Sequence, residues 1–305
     1  MALLPLGAAL TTVGLWASAF VAIRHVGVAF SPGALSLGRL LVGSVVLGSL
    51  LVARPHPKPP RELWPRLLVC GVLWFGVYNV ALNAAEQRVD AGTAALLVNI
   101  GPILIAVLAG ALLGEGFPRG LLLGGAVAFA GVVVITTATA VRASADAVGV
   151  LLCLLAAAAY AVGVVAQKPL LARLPALQVT WLACTIGAVS CLPYAPALVG
   201  EVEAARPSAV ALVVYLGVFP TALAFTTWAY ALARTTAGRM GATTYLVPPV
   251  AILLSWGLLG ETPAVLALAG GVLCLAGVFL ARRTSRSPDP VSQAARADAT
   301  TGPAG

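Results

Sequence analysis

The chain has 305 residues, 60% apolar and 9% charged; a soluble domain of that length carries roughly 25% charge, so a water-soluble fold is excluded. The net charge of +8 does not indicate nucleic acid, because Lys and Arg sit in short breaks between apolar runs and form no basic face. The runs are long enough to cross a bilayer, which takes about 20 helical residues at about 1.5 Å each.

In chain order, membrane spans are expected at 3–23, 32–53, 65–86, 92–113, 119–139, 147–167, 175–198, 208–232, 239–259 and 263–281. The first lacks a basic leader and exceeds a signal-peptide core, so it reads as a retained span. The second opens at Ser31-Pro32, a hydroxyl cap before a residue that needs no amide partner; Thr262-Pro263 repeats the pattern. About two turns in lies Arg39, on the face of Ser36 and Gly43. An unpaired charge there costs at least about 2.5 kcal/mol. Arg39 therefore either binds an anion or carboxylate or is satisfied by carbonyls and Asn side chains.

The third span carries Asn79, Asn83 and Glu86 at helical spacing, a polar stripe that must face a cavity or another helix. The Asn amides can donate and accept. Glu86 is the candidate proton carrier, with simple solvation near an interface as the alternative. In the fourth span Asn99 precedes Pro102, and in the ninth Thr243, Thr244 and Tyr245 precede Pro248-Pro249. These prolines should bend both spans and free backbone acceptors. Trp16, Trp74, Tyr78, Tyr160, Trp228 and Tyr230 offer rings for stacking on a ligand, or for core packing and interfacial anchoring. Gln167 adds a polar end beyond Tyr160. Glu115 and Glu261 close the fourth and ninth spans, where negative charge complements a helix N-terminus.

The fifth and tenth spans carry paired glycines and almost no polarity, which suits a scaffold or a homodimer contact and not a substrate site. Cys70, Cys153, Cys184, Cys191 and Cys274 have no ligand spacing, so they are expected to be buried thiols with no metal. Residues 284–305, rich in Ser, Pro, Ala and Thr, are expected to be a disordered tail. Of the Lys and Arg residues, Arg24, Arg88, Arg142 and Arg206 fall on one side and, Arg39 apart, the rest on the other. The excess places both termini in the cytoplasm, with the plasma (inner) membrane as the location.

A shift of 146 positions lays Gly101–Glu115 on Val247–Glu261, matching Pro102 with Pro248 and Leu112-Leu113-Gly114-Glu115 with Leu258-Leu259-Gly260-Glu261. It also pairs Gly124-Gly125 with Gly270-Gly271, and Gly71, Arg88 and Gly92 with Gly217, Arg234 and Gly238. Near the start of each copy a shift of 144 pairs Trp16 with Tyr160. This is an internal duplication, in residues 1–140 and 147–283. Each copy holds an odd number of spans, so the second enters from the opposite side. The fold class expected is an all-α membrane protein of ten transmembrane helices, arranged as two inverted five-helix repeats. Such halves can exchange conformations around a midplane site, which is alternating access.

Trp16-Ala17-Ser18-Ala19-Phe20, Ser31-Pro32 with Arg39, and the Pro102–Glu115 run with its counterpart Pro248–Glu261 resemble the ten-helix EamA-type branch of the drug/metabolite transporter superfamily, over roughly residues 5–282. That resemblance implies a secondary transporter, more often an exporter, of amino acids, other metabolites or drugs. The substrate-binding set expected is Trp16, Arg39, Asn79, Asn83, Asn99, Tyr160, Trp228 and Tyr245, with Glu86 for ion coupling and no cofactor. Partners would be a small molecule, the lipid bilayer and a second copy, without nucleic acid. The rivals are a channel or non-transporting receptor and, more remotely, an intramembrane enzyme. No GxxxxGK[ST] motif is present for direct use of ATP.

Overall fold

The computed structural model describes residues 3–52, 56, 58–89, 94, 97–139, 146–259 and 265–283, and among these there are helices and no strands. The first half comprises α1 (Leu3–Val26), α2 (Pro32–Val52), α3 (Arg61–Glu86), α4 (Gly101–Leu112) and α5 (Arg119–Thr139). In the second half, α6 is Ala147–Leu170, α7 is Ala176–Ser190 with Leu192–Ala204 after a 53° bend, and α8 is Pro207–Leu232. Next, α9 runs through Ala237–Thr243, a tight turn at Thr244–Leu246 and Val247–Leu259; α10 is Val265–Arg283. Among the described residues six helices are long and apolar enough to cross a membrane, or seven with bent α7; α4 and α10 are shorter apolar helices. Their outer faces expose residues such as Val45, Leu151, Val272 and Phe279, as lipid contact requires. The chain is thus an all-helical, multi-pass membrane protein.

The halves pack as a pseudo-twofold pair. α1 packs on α8 and α9 as α6 packs on α3 and α4; α2 meets α8 as α7 meets α3; α5 pairs with α10 and α2 with α7. Glycines set the register. A Cβ on Gly71 would meet Ile186 and the Ala183 carbonyl, and one on Gly217 would meet Val42 and the Arg39 carbonyl. Those contacts are related by shifts of 146 on α3/α8 and 144 on α2/α7. Equivalent helices run antiparallel: on α5 and α10, Gly124 lies against Gly277 and Ala281, while Gly131 lies against Gly270 and Cys274. Such contact between equivalents requires the two halves to be inverted relative to each other. The paired-glycine faces expected to form a scaffold contact are used here, within the chain.

Several local expectations change. The seventh span, expected to 198, breaks at Cys191 and turns through Pro193 and Pro196 into its second segment. α3 and α8 each contain π-helical turns, at Cys70–Val77 and Gly217–Leu223, matched by the 146 shift. The breaks before Pro102 and Pro248 are present: Asn99 and Ile100 form a turn before α4, and α9 tightens at Thr244–Leu246. The five cysteines are buried and unpaired by disulfides. Glu261, Thr262-Pro263, Arg142 and the 284–305 segment lie outside the described residues.

Glu115 caps a helix, but not the next one. Its Oε1 accepts from the Ala237 amide at 2.7 Å and its Oε2 from the Gly238 amide at 3.1 Å, at the start of α9 in the other half. Gly114 and Gly116 flank it at φ 68° and 67°, a left-handed conformation that costs other residues about 1–2 kcal/mol. The repeated Leu-Leu-Gly-Glu run thus makes the turn that aims this carboxylate across the bundle. Beside it, Lys168 Nζ donates to the carbonyls of Leu232 (2.7 Å) and Thr235 (2.6 Å), where cationic charge suits a helix C-terminus. The α8–α9 turn is therefore clasped from both sides.

Candidate functional site

A partly open cavity, with about 720 Å³ of empty space including its mouth, lies in the half of the bundle away from the N-terminal end of α1. α1 contributes Trp16, Phe20 and Ile23, α2 Arg39, and α3 Trp74, Tyr78 and Asn79; Asn99 comes from the turn before α4. Tyr160 of α6, Phe225 of α8 and Thr244 of α9 close the inner end.

Arg39 is 5% exposed, and its Nε donates to Thr221 Oγ1 of α8 at 3.0 Å. Gly43, one turn along, makes that approach possible: a Cβ there would fall 2.8 Å from Thr221 Cγ2 and 3.3 Å from the Gly217 carbonyl. Among the described residues no acid forms a salt bridge with Arg39, and no protein acceptor meets its terminal nitrogens. Glu86 is half-buried. The guanidinium is thus anchored at one nitrogen and presents its remaining donors to the cavity.

Asn79 is held by the π-helical turn: its Nδ2 donates to the Phe75 carbonyl at 2.8 Å, which leaves its oxygen as an acceptor at the wall. Irregular i→i+5 turns free carbonyls in this way and recur at functional sites. The same turn carries Trp74 inward against Tyr160 (5.5 Å between ring centroids), Phe225 (5.0 Å) and Trp16 (6.4 Å). The wall is therefore aromatic on one side and polar around Arg39.

Five of the expected residues line this cavity together: Trp16, Arg39, Asn79, Asn99 and Tyr160. Asn83 lies outside it and ties α3 to α2, its Nδ2 donating to Ser36 Oγ at 3.0 Å and to the Pro32 carbonyl at 3.4 Å. Trp228 is fully buried behind Trp16, at 5.1 Å. Tyr245 is 1% exposed and faces Phe129 of α5 at 6.5 Å. Tyr230 instead lies under the Arg234 guanidinium, 3.6 Å from its ring. Phe20, named above only within the first-span motif, is a wall residue, and Phe225 and Thr221 escaped the sequence reading. Thr221 shares a helical face with Gly217, and that glycine spacing was the available cue.

Comparison with known proteins places the chain among transporters. The model of the EamA-like transporter family matches residues 3–137 and again 147–283. A probable terminal-alkyne amino-acid exporter of Streptantibioticus cattleyicolor is 42% identical, over 89% of this chain and 91% of that protein. An uncharacterized transporter of Bacillus subtilis is 33% identical over 87% of each. A probable amino-acid metabolite efflux pump of Salmonella typhimurium is 28% identical over 91% of this chain and 96% of its own length. One solved crystal structure superposes with a TM-score of 0.76 at 23% identity, covering 90% of this chain and 95% of that one, a likeness of fold.

Proposed function

The chain belongs to the EamA-like transporter family, and from that premise we propose that it exports a small amino acid or related carboxylate across the plasma membrane by alternating access. The observation that carries the substrate class is Arg39, a buried guanidinium tethered through Nε and otherwise open to the cavity. A carboxylate can take two parallel N–H···O bonds from such a group. The Asn79 oxygen suits an ammonium, and the rings of Trp16, Phe20, Trp74 and Phe225 suit an apolar side chain. Two relatives bear names that refer to amino-acid export, which supports the same reading.

Both termini are proposed to be cytoplasmic on the Lys and Arg distribution, so the cavity opens outward and the Glu115–Lys168 clasp closes the cytoplasmic end. Glu86 is proposed to carry the coupling proton. The test is counterflow in proteoliposomes with radiolabelled amino acids of apolar side chain. Wild-type protein should exchange them saturably, and Arg39→Gln should raise KM by roughly 10–100-fold, the loss of one charge-assisted contact. Unchanged KM in Arg39→Gln contradicts the proposal.

A further inference from the structure

Cavity residues and their repeat counterparts make different demands on the same structure. Under the repeat shifts of 144 for α1/α6 and 146 for α3/α8 and α4/α9, Ile23, Leu82 and Asn99, which line the open cavity, correspond to Gln167, Trp228 and Tyr245. Those three are 0%, 0% and 1% exposed. Each carries buried polar atoms with no hydrogen-bond partner: both amide atoms of Gln167, the indole Nε1 of Trp228 and the hydroxyl of Tyr245. Burying such groups unpaired is unfavourable, and an apolar residue of similar shape would remove the penalty. Three orphaned groups at the counterparts of cavity residues are explained if another conformation satisfies them.

We infer that Gln167, Trp228 and Tyr245 line a second, inner half-site for the same small polar substrate, sealed in this structure and exposed when the halves exchange conformations. This rests on the alternating-access reading above, and it assigns residues to the conformation not seen here. The seal is the clasp: Lys168 follows Gln167, and with Glu115 it pins the α8–α9 turn. The inner half-site is neutral. Arg39 corresponds to Ala183 and Asn79 to Phe225, so the amide, indole and phenol supply hydrogen bonds without a cation.

The test uses full-length protein carrying Gln167→Cys or Ile23→Cys, with a charged, membrane-impermeant methanethiosulfonate reagent applied to either face of membrane vesicles. The native chain, whose five cysteines are buried, sets the background. Gln167→Cys should react only from the face carrying the termini and Ile23→Cys only from the other. Adding Glu115→Gln, which weakens the clasp, should raise the ratio of the first rate to the second by roughly tenfold, the effect of about one hydrogen bond. Gln167→Leu serves where the cysteine variant folds poorly; it should raise the melting temperature and slow counterflow turnover.

Reciprocal labelling without counterflow of any amino acid would uphold the inner half-site and remove the substrate proposal. Continued counterflow with Gln167→Cys unreactive from both faces, or with reactivity indifferent to Glu115→Gln, would overturn the half-site and leave transport standing. Normal turnover in Gln167→Leu overturns it as well.

Discussion

Thr221→Val removes a single atom pair from the proposed carboxylate site and almost nothing else. Valine keeps the methyl that packs on Gly43, but deletes the hydroxyl that receives Arg39 Nε at 3.0 Å. A hydrogen bond to a charged group contributes about 1.5–3 kcal/mol. Arg39 is 5% exposed, so water replaces little of that contact. The guanidinium keeps its charge but loses its fixed orientation, and the loss should appear in substrate affinity. KM for counterflow should rise by roughly 10–100-fold, with a much smaller change in the number of active carriers, while Thr221→Ser should stay within about threefold of wild type. A Thr221→Val protein with wild-type KM would mean that orientation of Arg39 by α8 has no bearing on substrate binding.

Glu86→Gln should retain exchange of substrate between equal pools but abolish uphill transport driven by a pH gradient; preserved uphill transport excludes Glu86 as the coupling acid. Gly124→Val should sharply reduce the yield of folded protein, because a Cβ there would already collide with the Ala281 amide nitrogen. The fraction that folds should bind substrate normally in an equilibrium binding assay. The Arg88 guanidinium, 2.9 Å from Asp146, and the Val148 amide hold the Asp146 carboxyl below its ordinary range. A lowered folded-state value stabilises the fold above the unfolded value of about 3.9 and is lost as pH falls through the folded value. Asp146→Asn should therefore melt below wild type at pH 7, with the gap closing as pH falls below the unfolded value of about 3.9.

Much of the architecture was legible because hydropathy and the repeated Pro-to-Glu run report it directly. Arg39, Asn79 and Asn99 were legible for a related reason: each interrupts an apolar span, and something must satisfy it. The π-helical turns were not, because they arise where Gly71 and Gly217 bring helices of opposite halves into contact, and no local pattern records a contact at that separation. The α7 bend had a visible cue in Pro193 and Pro196, but apolar length alone carried the expected span past it. Asn83 satisfied the polar-stripe pattern equally well as a tether and as a wall residue; its bonds to Ser36 and the Pro32 carbonyl separate the two. Trp228 and Tyr245 show the deepest ambiguity. A polar aromatic inside a span looks the same whether it faces an open cavity or one that forms in another conformation.

The most direct measurement compares counterflow of an apolar amino acid with that of the corresponding amine, which lacks only the carboxylate, in proteoliposomes of wild-type protein. The account predicts saturable exchange of the amino acid and at least about tenfold weaker competition by the amine, from the missing contact with Arg39. Equal competition by the two compounds would contradict it.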